Sequence, residues 1–264
     1  MIENFVSLLL FTYIGQTAVG MILVREVLVF EGSLASNDKI VRQSQYAITL
    51  LLIISLGIAF MHLHNPLRAV YALSNIGSSP LSMEIGSLSL LLAIAIFRSY
   101  TAYKNIFRQF SGVLSVLSIL VAMALLVTMI MVYYIPSVPS WNRPATPLAF
   151  IFTAVSSGTA LIAYLYVKEN RNITKRLTGI AVVTAIALSI LTILSSGRAA
   201  MPLIIIKVVQ SIAALVALIL YIISFSGSFM NKMHQMTVII SVLIILSGIL
   251  ARLYFFLSFD NNIL

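Results

Sequence analysis

Long apolar runs separated by short polar breaks recur along the whole chain. They cover approximately Phe5–Val29, Tyr46–Met61, Leu81–Phe97, Val113–Tyr134, Pro147–Val167, Leu177–Leu194, Leu203–Ile223 and Val238–Phe256. A hydrocarbon core about 30 Å thick takes roughly 20 helical residues to cross. The pattern therefore predicts about eight transmembrane helices and an all-α, polytopic membrane bundle. The second and third runs have the least definite ends, because the segment joining them is itself semi-polar. Short-period repeats, low-complexity stretches and soluble linkers are absent from the sequence, so residues 1–264 read as a single integral membrane domain.

Composition removes the soluble alternatives. Apolar residues make up 61% of the chain and charged residues 9%, against roughly 25% charged in soluble domains. So few charges cannot dress a water-facing surface. With no cysteine, the chain offers neither a disulfide nor a thiolate ligand for a metal or an iron–sulfur cluster. The net charge of +9 raises the question of nucleic acid. The basic residues lie in short loops between apolar runs, not in a stripe beside exposed aromatics, and they read as topology signals. The start, Met1-Ile-Glu-Asn-Phe, lacks a basic region and a small-residue cleavage site; the first run is expected to be a retained helix.

The same basic residues orient the bundle. Breaks after the first, third, fifth and seventh runs hold Lys39 and Arg42, then Arg98, Lys104 and Arg108, then Lys168, Arg171, Lys175 and Arg176, then Lys232. The opposite side holds only Arg68, Arg143 and Arg198, with Lys207 and Arg252 just inside run ends. The Lys/Arg-rich side belongs in the cytoplasm, which puts both termini on the opposite, periplasmic side.

Polar chemistry concentrates between the second and third runs. His62 and His64 close one run, Arg68 follows Pro66, and Glu84 opens the next behind Pro80 and Ser82. Ser82 suits an N-cap, and a carboxylate in a first turn is favoured by the helix dipole. Against that structural reading, an ionisable residue near membrane depth is costly and usually functional. An imidazole, a fixed cation and a carboxylate on one short segment suit a site that holds a small polar headgroup and moves protons. His64, two residues from His62, faces away from it in a helix. Gln16, mid-run, reads first as interhelical glue, and Trp141 as an interfacial anchor. Arg252 either snorkels or turns inward as a charge partner for Glu84. A membrane haem needs paired imidazoles from different helices; the chain has His62, His64 and, on the other side, His234, so haem is not expected.

At these residues the chain meets a known family. His62-Leu-His-Asn-Pro66-Leu-Arg68-Ala69, followed by Ser79-Pro-Leu-Ser82-Met-Glu84-Ile85, resembles the membrane-anchor subunit of bacterial dimethyl sulfoxide reductases. That family reads His-Leu-Gly-Ser-Pro-x-Arg-Ala, then Ser-x-Leu-Ser-x-Glu-Ile, at the same separation. Phe11-Thr-x-x-Gly15-Gln16, Val138-Pro-x-Trp141 and Thr146-Pro147 resemble further family positions in order, so the likeness covers nearly the full length. His64 departs from the family's Gly. The final helix reads Gly248-Ile-Leu-Ala-Arg252 where the family often carries a Glu after that Gly.

The resemblance implies a non-catalytic subunit that holds a molybdopterin catalytic subunit and an iron–sulfur subunit at the periplasmic face. It implies that menaquinol is bound and oxidised in anaerobic respiration, its electrons passing to the nearest cluster. The quinol-site residues it implies are His62, Arg68 and Glu84, with Gln16 and Arg252 as accessory candidates and no metal in this chain. Two other readings stay open on sequence alone: a secondary transporter, and a purely structural docking anchor. The transporter reading expects a midplane site and often internal repeats, whereas the ionisable cluster here sits at one face.

Overall fold

A computed structural model describes residues 2–34, 39–61, 75, 77–106, 108–195, 201–225 and 232–258. Among them eight α-helices follow in order: α1 (Ile2–Phe30), α2 (Lys39–Met61), α3 (Pro80–Lys104), α4 (Ser111–Tyr133), α5 (Ala145–Tyr166), α6 (Arg171–Leu194), α7 (Met201–Ile223) and α8 (Met233–Leu257). One 3-10 turn, Arg108–Phe110, precedes α4. All eight helices are long and apolar enough to cross a membrane. The predicted count and class hold, and the protein is a multi-pass membrane protein.

The helices outrun the apolar runs. α2 begins at Lys39 and not at Tyr46, and α3 continues past Phe97 to Lys104. A helix satisfies its own backbone whatever side chains it carries, so polar ends prolong it into the headgroup zone. The start of α3 differs from expectation in detail. The cap is Ser79, extended at φ −120° and ψ 126° ahead of Pro80, and its side chain makes no capping bond. Proline fits a first helical turn and forces the residue before it out of the helical region. Ser82 is therefore a buried residue inside the helix, and Glu84 lies beyond the first turn, where the dipole helps little. α3 ends at Asn105, left-handed at φ 54°, with its N–H on the Thr101 carbonyl, a standard C-terminal closure. α6 starts on Asn170, whose side chain accepts from the amides of Asn172 and Ile173 at 3.0 and 3.1 Å, as an N-cap should.

The helices form two compact units, residues 1–133 and 134–264. In the first, α1 packs on α2, α2 on α3, α3 on α4 and α4 back on α1. In the second, α5, α6, α7 and α8 close the same ring, with α6 also touching α8 across it.

Each unit is built for lipid. Outward positions of α7 are Ile205, Val208, Ile212, Leu215, Ile219 and Ile222, while Lys207, Gln210, Ala213, Ala214 and Ala217 turn inward. Lipid tails are as apolar as Leu, so close packing of small residues and hydrogen bonds, not hydrophobic burial, holds such helices together. The core around Ala160, Ala181, Ala185 and Ala217 follows that rule. Some buried hydroxyls are satisfied along their own helix: Thr153 and Ser157 donate to carbonyls four residues back at 2.7 and 2.6 Å. Gly15 and Gly179 mark close approaches. A Cβ on Gly15 would lie 2.6 Å from Met129 Cε, and one on Gly179 would lie 2.5 Å from Tyr221 Oη.

Candidate functional site

The interior of the first unit carries a polar layer. On α3, Ser87 shares a 3.1 Å hydrogen bond with Thr128 of α4. The next residue, Met129, lies against Gly15 of α1. Ser55 of α2 touches the same glycine and donates to the Phe11 carbonyl at 3.2 Å. Four helices therefore meet at one level, and each brings a polar or small residue to it.

Gln16 and Glu84 flank this layer. Gln16 follows Gly15 and is fully buried; Glu84 precedes Ser87 by three residues, less than one turn, and is 1% exposed. Neither the amide nitrogen nor the amide oxygen of Gln16 has a partner among the described residues, and neither does Oε1 of Glu84. The amide expected to bond across helices does not do so there. A buried polar atom left without a partner costs about 1–3 kcal/mol, so native structures rarely keep such atoms without a use for them. The first unit thus buries a carboxyl group on α3 and, on α1, an amide able to donate and accept. His62, Arg68 and His64 lie outside the described residues, so among the expected site residues of this unit the structure describes Glu84 and Gln16.

At the far end of α1 stands a second polar centre that the hydropathy reading passed over. Arg25 donates to Glu26 Oε1 from Nε at 2.9 Å and also from Nη2, and its Nη1 reaches Gln45 of α2 at 2.7 Å. Arg98 of α3 meets the same Glu26 oxygen at 2.8 Å and donates to Ser118 and Ser115 of α4. Gln45 in turn donates to the Ala95 carbonyl at 3.0 Å. One carboxylate thus holds two guanidinium groups, and the cluster ties all four helices together. The sequence signal was adjacent opposite charges, Arg25-Glu26, inside an otherwise apolar run.

In the second unit Arg252 turns inward and is 1% exposed. Its Nη2 donates to the Ala149 carbonyl and to Thr153 Oγ1 of α5 at 3.0 and 3.1 Å, and its guanidinium lies 3.8 Å from the centre of the Phe150 ring. Snorkelling is excluded for this arginine. Trp141 is likewise committed inside the unit. It stacks on Phe255 at 5.2 Å and donates from Nε1 to the Phe255 carbonyl at 3.0 Å.

Comparison with known proteins agrees with the motif reading. The family model for the DMSO reductase anchor subunit (DmsC) matches residues 3–258. The sequence is 30% identical over 182 residues to YnfH, an anaerobic dimethyl sulfoxide reductase polypeptide of Escherichia coli K12, covering 69% of this protein and 63% of that one. It is 28% identical over 189 residues to the C polypeptide of the anaerobic dimethyl sulfoxide reductase of Haemophilus influenzae, covering 71% and 67%. With the C polypeptide of the Escherichia coli K12 enzyme the figures are 31% over 164 residues, covering 60% and 56%. Two of these matches thus span less than two thirds of the relative's own length. The family match nevertheless runs through all eight helices and both units, and the chain belongs to the DMSO reductase anchor subunit family.

Proposed function

We propose that this chain anchors a dimethyl sulfoxide reductase-type complex in the bacterial inner membrane, oxidises menaquinol within its first unit, and delivers the electrons to an iron–sulfur subunit. The observation that carries this is a pair of buried side chains in the first unit, Gln16 and Glu84: both amide atoms of the one and Oε1 of the other lack partners among the described residues. Family membership supports the anchoring role. The basic-loop asymmetry supports a periplasmic placement of the termini and of the soluble subunits.

Bound menaquinol supplies a two-electron, two-proton donor, and the chain's residues have separable tasks toward it. His62, the next residue in sequence after α2, brings an imidazole that can accept a hydroxyl proton. Glu84 takes the proton onward toward the start of α3. Arg68 offers a fixed cation where negative charge develops, and Gln16 orients the ring by donating to one of its oxygens. Electrons must leave the chain, because a sequence without cysteine holds no iron–sulfur cluster of its own. They require a partner protein that carries the metal.

The test uses the assembled complex. His62→Arg should abolish menaquinol-dependent reduction, because a permanent cation accepts no proton, while assembly and activity with an artificial dye donor to the soluble subunits stay intact. His64→Ala should change menaquinol oxidation less than about twofold. Normal menaquinol oxidation by His62→Arg would overturn the assignment.

A further inference from the structure

We infer that the second unit carries an oxyanion site, built for a tetrahedral phosphate group, at the end where α5 begins and α6 and α8 finish. A cavity of about 100 Å³ opens there. One ordered water needs roughly 10–15 Å³ on this scale, so the space suits a small polyatomic group.

Its lining sets the chemistry. Arg143 and Arg252 both face it, and among the described residues no aspartate or glutamate lines it. Both guanidinium groups are anchored on neutral acceptors: Arg143 on the Ser195 carbonyl, and Arg252 on the Ala149 carbonyl and the Thr153 hydroxyl. Two like charges on one cavity disfavour a cation, and a neutral ligand gains little from them. A phosphate gains from both, since guanidinium groups match its geometry with paired hydrogen bonds. Ser140 adds a directed group. The residue lines the cavity, and its hydroxyl is buried with no hydrogen-bond partner among the described residues. Tyr254, also on the lining, lies under Lys207 with Nζ 4.3 Å from the ring centre, which adds positive potential behind the wall. A phospholipid headgroup and free phosphate share the chemistry recognised here.

The test uses the full chain in detergent, stripped of lipid. Titration with inorganic phosphate and with short-chain phosphatidylglycerol should raise the unfolding temperature saturably, whereas short-chain diacylglycerol, which carries no phosphate, should not. Arg143→Gln, the more exposed of the two arginines and the safer change for folding, should weaken the half-saturating concentration at least tenfold. Ser140→Ala should weaken it two- to fivefold at unchanged unfolding temperature without ligand. Saturation by phosphatidylglycerol alone identifies a lipid headgroup, and saturation by both probes identifies the oxyanion itself; either supports the site. Repeating the titration on Asp260→Asn frees the result from the acidic residue two positions after Ser258 in the sequence. No saturable binding by either protein, or binding by Arg143→Gln equal to wild type, would overturn the proposal.

Discussion

Gln16 shows how a single side chain can carry more information in place than in sequence. In an apolar run an amide suggests a hydrogen bond to the neighbouring helix, and α1 does pack closely on α4 through Gly15 and Met129. The amide nonetheless spends neither of its polar atoms on the described residues. If it orients menaquinol, Gln16→Leu should raise the half-saturating menaquinol concentration about three- to tenfold, the value of one ordinary hydrogen bond. Turnover at saturation should hold within about twofold. Steady-state kinetics of the complex check this, and a change in turnover alone would place Gln16 outside the binding step. Glu84 predicts the complementary split. Glu84→Gln keeps size and polarity but cannot relay a proton, so turnover should fall at least tenfold while the dissociation constant of a quinol-analogue inhibitor moves less than threefold. Glu26 is a residue of a different kind. It neutralises Arg25 and Arg98 in a buried cluster, and Glu26→Leu should cost about 3–5 kcal/mol by leaving two guanidinium groups buried together. Unfolding of the purified chain by titration with a denaturing detergent measures it, and a loss below about 1 kcal/mol would show that the cluster is well solvated.

At the scale of elements, hydropathy and length were enough to read eight helices, because in a bilayer the helix is the form that satisfies its own backbone. What they could not set was where each helix stops, since the ends are decided by caps and proline. Ser79 and Pro80 begin α3, so Ser82 lies buried inside it and is not the cap. Nor does hydropathy record lateral packing. Gly15 and Gly179 look alike in sequence, yet each meets a particular side chain, Met129 or Tyr221. Tyr221 is held by the Lys175 carbonyl at 3.4 Å and has a ring less able to yield than a methionine tip. Gly179→Ala should therefore destabilise the second unit by about 1–3 kcal/mol through overpacking, and Gly15→Ala the first unit by less. Comparative unfolding of the two variants tests that order, and equal losses would contradict it. The candidate site divides the same way. His62, Arg68 and Glu84 were legible as a cluster because they sit in an apolar sequence within one short segment. The contact chain from Ser87 through Thr128 and Met129 to Gly15 was not, because it joins residues more than a hundred positions apart.

At the scale of the molecule, the helices form two successive four-helix units, and separate tasks are proposed for them. The first holds the buried carboxyl and amide assigned to quinol, and the second holds the guanidinium-lined cavity assigned to an oxyanion. The basic loops predict a direction across the membrane. Reporter fusions after Lys39, Lys104, Arg171 and Lys232 should all report the cytoplasm, and a periplasmic signal at two or more would reverse the proposed exits for protons and electrons. The measurement closest to the central claim is the location of the quinone itself. A photoreactive menaquinone analogue, cross-linked in the assembled complex and mapped by mass spectrometry, should label peptides of α1–α4 around Gln16 and Glu84. Menaquinol should compete the label away, and Gln16→Leu should reduce it. Competable labelling confined to α5–α8 would contradict the account.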